Sequence, residues 1–142
     1  MHTVIKLILA ALALLTGFYA SDLIQYWRTN TTPQETPHYC PLSTQPCQQK
    51  GVSMTLTQDI VQPLVATTLV VEWPNAQSQQ LTLTLQGLEM EMGTIKFLLT
   101  RKAEGSFHGE LMLPVCTMQG MTWIGMLTDG HASVYLSVRM EK

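Results

Sequence analysis

Charge is scarce in this 142-residue chain: Asp, Glu, Lys and Arg make up 13% of it, against about 25% in typical soluble proteins. Its eight basic residues are scattered, so the clustered Lys and Arg that capture nucleic acid are absent and that class of partner is excluded. There is no long polar run either, and at 46% hydrophobic residues the chain is not a mainly disordered one. Catalytic signatures are missing as well. The sequence holds no phosphate-binding glycine loop, no HExxH and no CxxC. Cys116 and His108 would need a nucleophile elbow or comparable signature around them to suggest hydrolase chemistry, and none is present. A protein without enzymatic activity is the expectation.

What is there begins with an apolar N-terminus. Val4 to Ala20 is apolar or small except at Lys6 and Thr16, which suits a secretory signal or a short membrane span. The candidate cleavage site after Ala20 has Phe18 at its −3 position, where a small residue is needed. Leu23, Ile24, Tyr26 and Trp27 then extend the apolar character up to Arg28, the order expected where a helix leaves a bilayer. Residues 1–28 therefore read as an uncleaved transmembrane anchor. Lys6 and the amino terminus keep the leading side cytoplasmic, so the rest of the chain is expected outside the cytoplasm, in a periplasm-like space. A cleaved signal with secretion leads to the same compartment.

Residues 29–50 read as a tether, because prolines at 33, 37, 41 and 46 interrupt any hydrophobic period. Of the chain's three cysteines, Cys40 and Cys47 lie here, and in an exported protein they are expected to form a small disulfide. The odd cysteine, Cys116, is then left as a reserved thiol, an inert buried one, or an alternative disulfide partner.

Beyond Gly51 the pattern has period two. Leu81, Leu83 and Leu85 alternate with Thr82 and Thr84, and the sets Ile95/Phe97/Leu99 and Val134/Leu136/Val138 repeat the device. Pro74-Asn75, Glu104-Gly105 and Asp129-Gly130 mark turns. Seven strands are expected, beginning near Ser53, Val65, Gln80, Thr94, Ser106, Met121 and Ala132. With no credible helix among them, residues 51–142 should form an all-β antiparallel sandwich of immunoglobulin or cupredoxin type.

Methionine is the compositional anomaly. Of nine, six fall between positions 90 and 126, in the same stretch as His108 and Cys116. Thioether, thiolate and imidazole are the soft-to-borderline donors that select Cu(I). Strand spacing lets Met90 and Met92 share one ion. Cys116, Met118 and Met121 sit about Pro114 and Gly120, where a loop relaxes the spacing; His108 is a less certain contributor. Met54, Met126 and Met140 are expected to fill the core, as Met121 could also do. On the strand after Ser106, Phe107, Leu111 and Leu113 should face inward and His108, Glu110 and Met112 outward.

The run Gly87-Leu88-Glu89-Met90-Glu91-Met92-Gly93, followed by Gly105-Ser106-Phe107-His108-Gly109, Leu113-Pro114-Val115-Cys116 and Met121-Thr122-Trp123, resembles the FixH/YtkA-like group of exported or membrane-anchored β-sandwich proteins. The likeness spans about residues 53–140. It implies a non-enzymatic accessory protein for copper handling, with a copper-oxidase subunit or another assembly factor as partner. The stretch around Cys116 departs from the pattern, so a role for that thiol rests on ligand chemistry alone. The competing expectation is a metal-free interaction module whose methionines form an adaptable contact surface. Either way a fragment beginning near Thr29 should give a β-type far-ultraviolet circular dichroism spectrum; a predominantly helical one contradicts the assignment.

Overall fold

The computed structural model describes residues 4–6, 8 and 37–142. Residues 4–6 and 8 are helical; the rest of the segment read as an anchor or signal, and the first part of the tether, lie outside the described residues. Among the described residues no helix is long and apolar enough to cross a membrane. The chain divides into two compact units, Met1–Thr36 and Pro37–Lys142.

The second unit is all-β, with strands β1 (Cys40–Pro41), β2 (Cys47–Gln49), β3 (Val52–Leu56), β4 (Thr67–Glu72), β5 (Gln80–Gly87), β6 (Thr94–Arg101), β7 (Phe107–Leu111), β8 (Gly120–Thr128) and β9 (Ser133–Glu141). Alternation builds each long strand. In β5 the leucines at 81, 83 and 85 are fully buried and the threonines between them face outward. In β7 Phe107 and Leu111 point inward with Leu113 beyond them, while Glu110 and Met112 point out, as their spacing requires. Trp73 and Trp123 add the large buried surfaces. One assignment is corrected. Met126 is half-buried on the outer face, in a hollow with Tyr39 and Tyr135, because the inward parity of β8 belongs to Met121, Trp123 and Leu127.

All nine strands hydrogen-bond in one order, β1-β9-β8-β5-β6-β7-β4-β3-β2. Every pairing is antiparallel except β1 with β9, which is parallel. The result is a mixed, nearly closed sheet where seven antiparallel strands in two sheets were expected. The two additional strands come from the stretch read as structureless tether. Two- and three-residue strands are too short to show a period, and Pro41 fits because it sits on an edge strand. Its neighbour Leu42 donates its N–H to the Ser137 carbonyl at 2.9 Å. Cys40 and Leu42 are both buried.

Those short strands stand at opposite ends of the sheet order and draw it together. The Cys40–Cys47 disulfide joins β1 to β2 with Cα atoms 6.1 Å apart. Leu56 of β3 donates its N–H to the Ser43 carbonyl at 2.8 Å, and the Gln49 side chain of β2 accepts the Tyr135 N–H of β9 at 2.6 Å. The turn from β2 into β3, Lys50-Gly51, has positive φ at both residues, 52° and 78°, the hairpin geometry that matches strand twist.

Register assigns the connections to two ends. The turns at 50–51, 73–79, 102–106 and 129–132 lie at one end, which the chain also meets as it comes in through Tyr39. The connections 42–46, 57–66, 88–93 and 112–119 lie at the other, the long-loop end.

Replacing Cys40 and Cys47 together by Ser should cost about 2–3 kcal/mol, the loop-closure value for so short a loop. The measurement is the urea midpoint, with amide exchange in β1 and β2 accelerating before that of β5 and β8.

Candidate functional site

The connection 88–93 is fixed to the sheet by backbone and side chain together. Leu88 donates its N–H to the Thr122 carbonyl at 2.9 Å, and Thr122 returns its own N–H to the Glu89 carboxylate at 2.7 Å. That bond, more than the Arg139 guanidinium 3.6 Å from the same carboxylate, holds the Glu89 pKa below its ordinary value. Gly87 precedes the loop for a steric reason. A Cβ there would overlap both the terminal methyl of Met121 and the Met90 carbonyl oxygen. Gly93, at φ 77°, closes the loop and delivers the chain into β6.

Met90 and Met92 lie in this loop, not on a strand, and both are half-buried against the core. Met92 also lines a hollow of about 250 Å³ with Glu91 and Thr94. From the adjoining connection 112–119 comes Cys116, a buried free thiol whose Sγ donates to the Met118 carbonyl at 3.4 Å. Met118 itself is exposed, and Met121 is fully buried at the start of β8. The long-loop end thus holds five of the six sulfur and nitrogen donors singled out from the sequence. Close approach is seen where Met121 and the Met90 backbone crowd Gly87.

His108 is not among them. Its partner across β6 is Thr100, six residues along the strand from Thr94, or about 20 Å. There it joins a different group. The Ser106 hydroxyl lies 2.8 Å from His108 Nε2 and donates to Glu104 Oε1 at 3.1 Å, and that carboxylate oxygen is 3.2 Å from the same ring nitrogen. These side chains border a cleft of about 650 Å³ with Trp73 and Arg101. The Arg101 guanidinium stacks 4.7 Å from the Phe107 ring centroid and donates to the Ala76 carbonyl at 2.7 Å. A Ser–His–acid relay needs the acid on the other imidazole nitrogen; here Ser and Glu compete for Nε2. Sequence reading missed this group, although the period-two spacing of Ser106 and His108 already put them on one face.

Among the described residues no three or more His, Cys, Asp or Glu side chains come together as a metal site. Comparison with family models, curated proteins and solved structures found no match.

Because Cys40 and Cys47 are bridged and Cys116 is buried, alkylation of the folded, unreduced protein should be slow. Unfolding in urea without reductant should expose one site, Cys116, and reduction two more. Mass spectrometry of labelled peptides checks the assignment.

Proposed function

We propose that the domain is a non-enzymatic, extracytoplasmic copper-binding accessory protein, holding Cu(I) at its long-loop end through Met90 and Met92. A third soft donor comes from Cys116, Met118 or Met121. The observation that supports it is that two methionine-bearing connections, 88–93 and 112–119, lie at the same end of the sheet, with Met121 packed against Gly87 before the first. In kind the donors suit a soft monovalent ion: thioethers are neutral, resist oxidation better than thiols and leave oxygen-seeking cations unserved. On this reading the antiparallel run β9-β8-β5-β6-β7-β4-β3 is the immunoglobulin- or cupredoxin-like sandwich, and β1 and β2 close its edges. The N-terminal segment anchors the domain to a membrane, and the partner is a copper-oxidase subunit or another assembly factor.

A second reading, an interaction module without metal, draws support from the exposed apolar side chains on the same loops.

Changing Met90 and Met92 together to Leu conserves volume and hydrophobicity, so a loss of binding reports on sulfur. Under anaerobic conditions with ascorbate, Cu(I) affinity should fall at least tenfold while the melting temperature of the apo protein is unchanged. Protons compete with thiolate and imidazole donors but not with thioethers. Wild-type binding should therefore persist near pH 5, where a Cys- or His-based site weakens. Wild-type protein that binds no Cu(I), or a double variant that binds it equally well, removes the copper reading.

A further inference from the structure

The exposed large apolar side chains of the second unit are distributed unevenly. Ile60, Leu64 and Val65 stand on the connection 57–66. Met112, Val115 and Met118 stand on 112–119, and Leu88 on 88–93. All three connections belong to the long-loop end; outside them Leu98, on the face of β6, is exposed to a similar degree. The turns of the opposite end carry none of these exposed large apolar side chains, and Trp73 among them is buried. Scattered exposed Leu or Val is ordinary on a monomer, whereas a concentration at one pole marks a contact surface.

Leu64 carries the point further. Its φ is 60°, the left-handed region that Gly and Asn occupy readily and a branched aliphatic residue does not. Yet its side chain is 61% exposed, so no burial offsets the strain. The backbone is pinned all the same, because the Leu64 N–H donates to the Leu113 carbonyl at 2.9 Å and ties 57–66 to 112–119. A fixed, strained loop that presents an aliphatic side chain to solvent is arranged for something outside the molecule.

The charges say what that is. The three connections contain Asp59, Glu89 and Glu91 and no Lys, Arg, Trp or Tyr. Arg139, the base that reaches them, pairs with Glu89 at 3.6 Å and with Glu141 at 3.1 Å; Lys142 follows at the rim. Asp59 is fixed as an anion by the Thr44 hydroxyl and N–H, which hold its pKa below the ordinary value. A bilayer surface would be met by aromatic and basic anchors, which these loops lack, and a second copy would set acid against acid. We infer that the long-loop end is a docking face for a protein segment that offers an apolar stripe flanked by Lys or Arg. Complementarity of this kind sets specificity and association rate around an apolar centre. The inference stands apart from the copper reading, since Ile60, Leu64, Val65 and Val115 carry no metal donor.

The test uses the full chain in mild detergent and two labelled synthetic helices that share one leucine stripe, flanked in one by Lys and in the other by Glu. Fluorescence anisotropy should show the Lys-flanked helix binding at least tenfold more tightly, with the preference shrinking in high salt. Leu64→Asn relieves the strained backbone, so its melting temperature should stay level or rise, by about 1–3 °C. The same variant, combined with Val115→Asn, should weaken the Lys-flanked helix at least tenfold while Cu(I) affinity is unchanged. Three results overturn the inference. The first is equal binding of the two helices, and the second is binding that the double variant leaves intact. The third is protection of 57–66 and 112–119 from amide exchange by a second copy, or by phosphatidylglycerol vesicles, in place of the helix.

Discussion

The structure depends on the seam between the two ends of its sheet. A nine-strand order leaves two edges, each a row of unpaired N–H and C=O groups open to another chain. Here both are carried by strands of two and three residues, separated in sequence by a few residues and joined by a disulfide. The Leu42 N–H reaches β9, the next residue's carbonyl receives β3, and Gln49 bonds to Tyr135 on one side and to the His38 carbonyl on the other. These two short strands thus bring the sheet close to the closure of a barrel. The core leucines of β5 and the tryptophans of β4–β5 and β8 can then be shielded on every side.

Closure also sorts the connections. Antiparallel register sends alternate links to opposite ends, so the sequence order of turns and long loops becomes a spatial segregation. Three hairpins gather at one end together with the link 73–79, and Asp129 accepts the N–H groups of His131 and Ala132 to hold its turn. At the other end gather the links that carry methionine and the exposed aliphatic residues. Neither pole was designed by any one loop; both follow from where the strands reverse.

Much of this was legible in the residues. The alternating leucines of β5, the inward Phe107 and Leu111 and the turns at Gly105 and Gly130 follow from period and turn chemistry, which act locally. The strands at Cys40 and Cys47 were not legible, because two and three residues are too short for a pattern of their own: β1 depends on a partner almost a hundred residues away, and β2 on the hairpin it makes with β3. Met126 went astray for a related reason. A methionine is compatible with either face, and parity along β8 decides. Met90, Met92, Cys116, Met118 and Met121, grouped from the sequence by donor chemistry, all sit in or beside links that share a pole. His108, added for its imidazole as a less certain contributor, pairs instead with Thr100, about 20 Å along β6 from the 88–93 loop. The strained Leu64 had no signal at all, since a backbone angle is not written in a residue that normally avoids it.

The parallel pairing of β1 with β9 has a consequence for how the chain comes to be folded. β1 begins at Cys40 and finds its place only beside Leu136 and Ser137. No partial chain that lacks residues 133–141 can offer that place. Until β9 arrives, β8 is an open edge, and Cys40 is held only through its bridge to Cys47 on β2, which pairs with β3. A chain emerging from its N-terminus must therefore wait for β9, and its long-range pairings make that wait slow. A chain without β9 exposes the nine-residue edge of β8, and so the same topology that leaves only short edges when complete makes incompleteness the hazard.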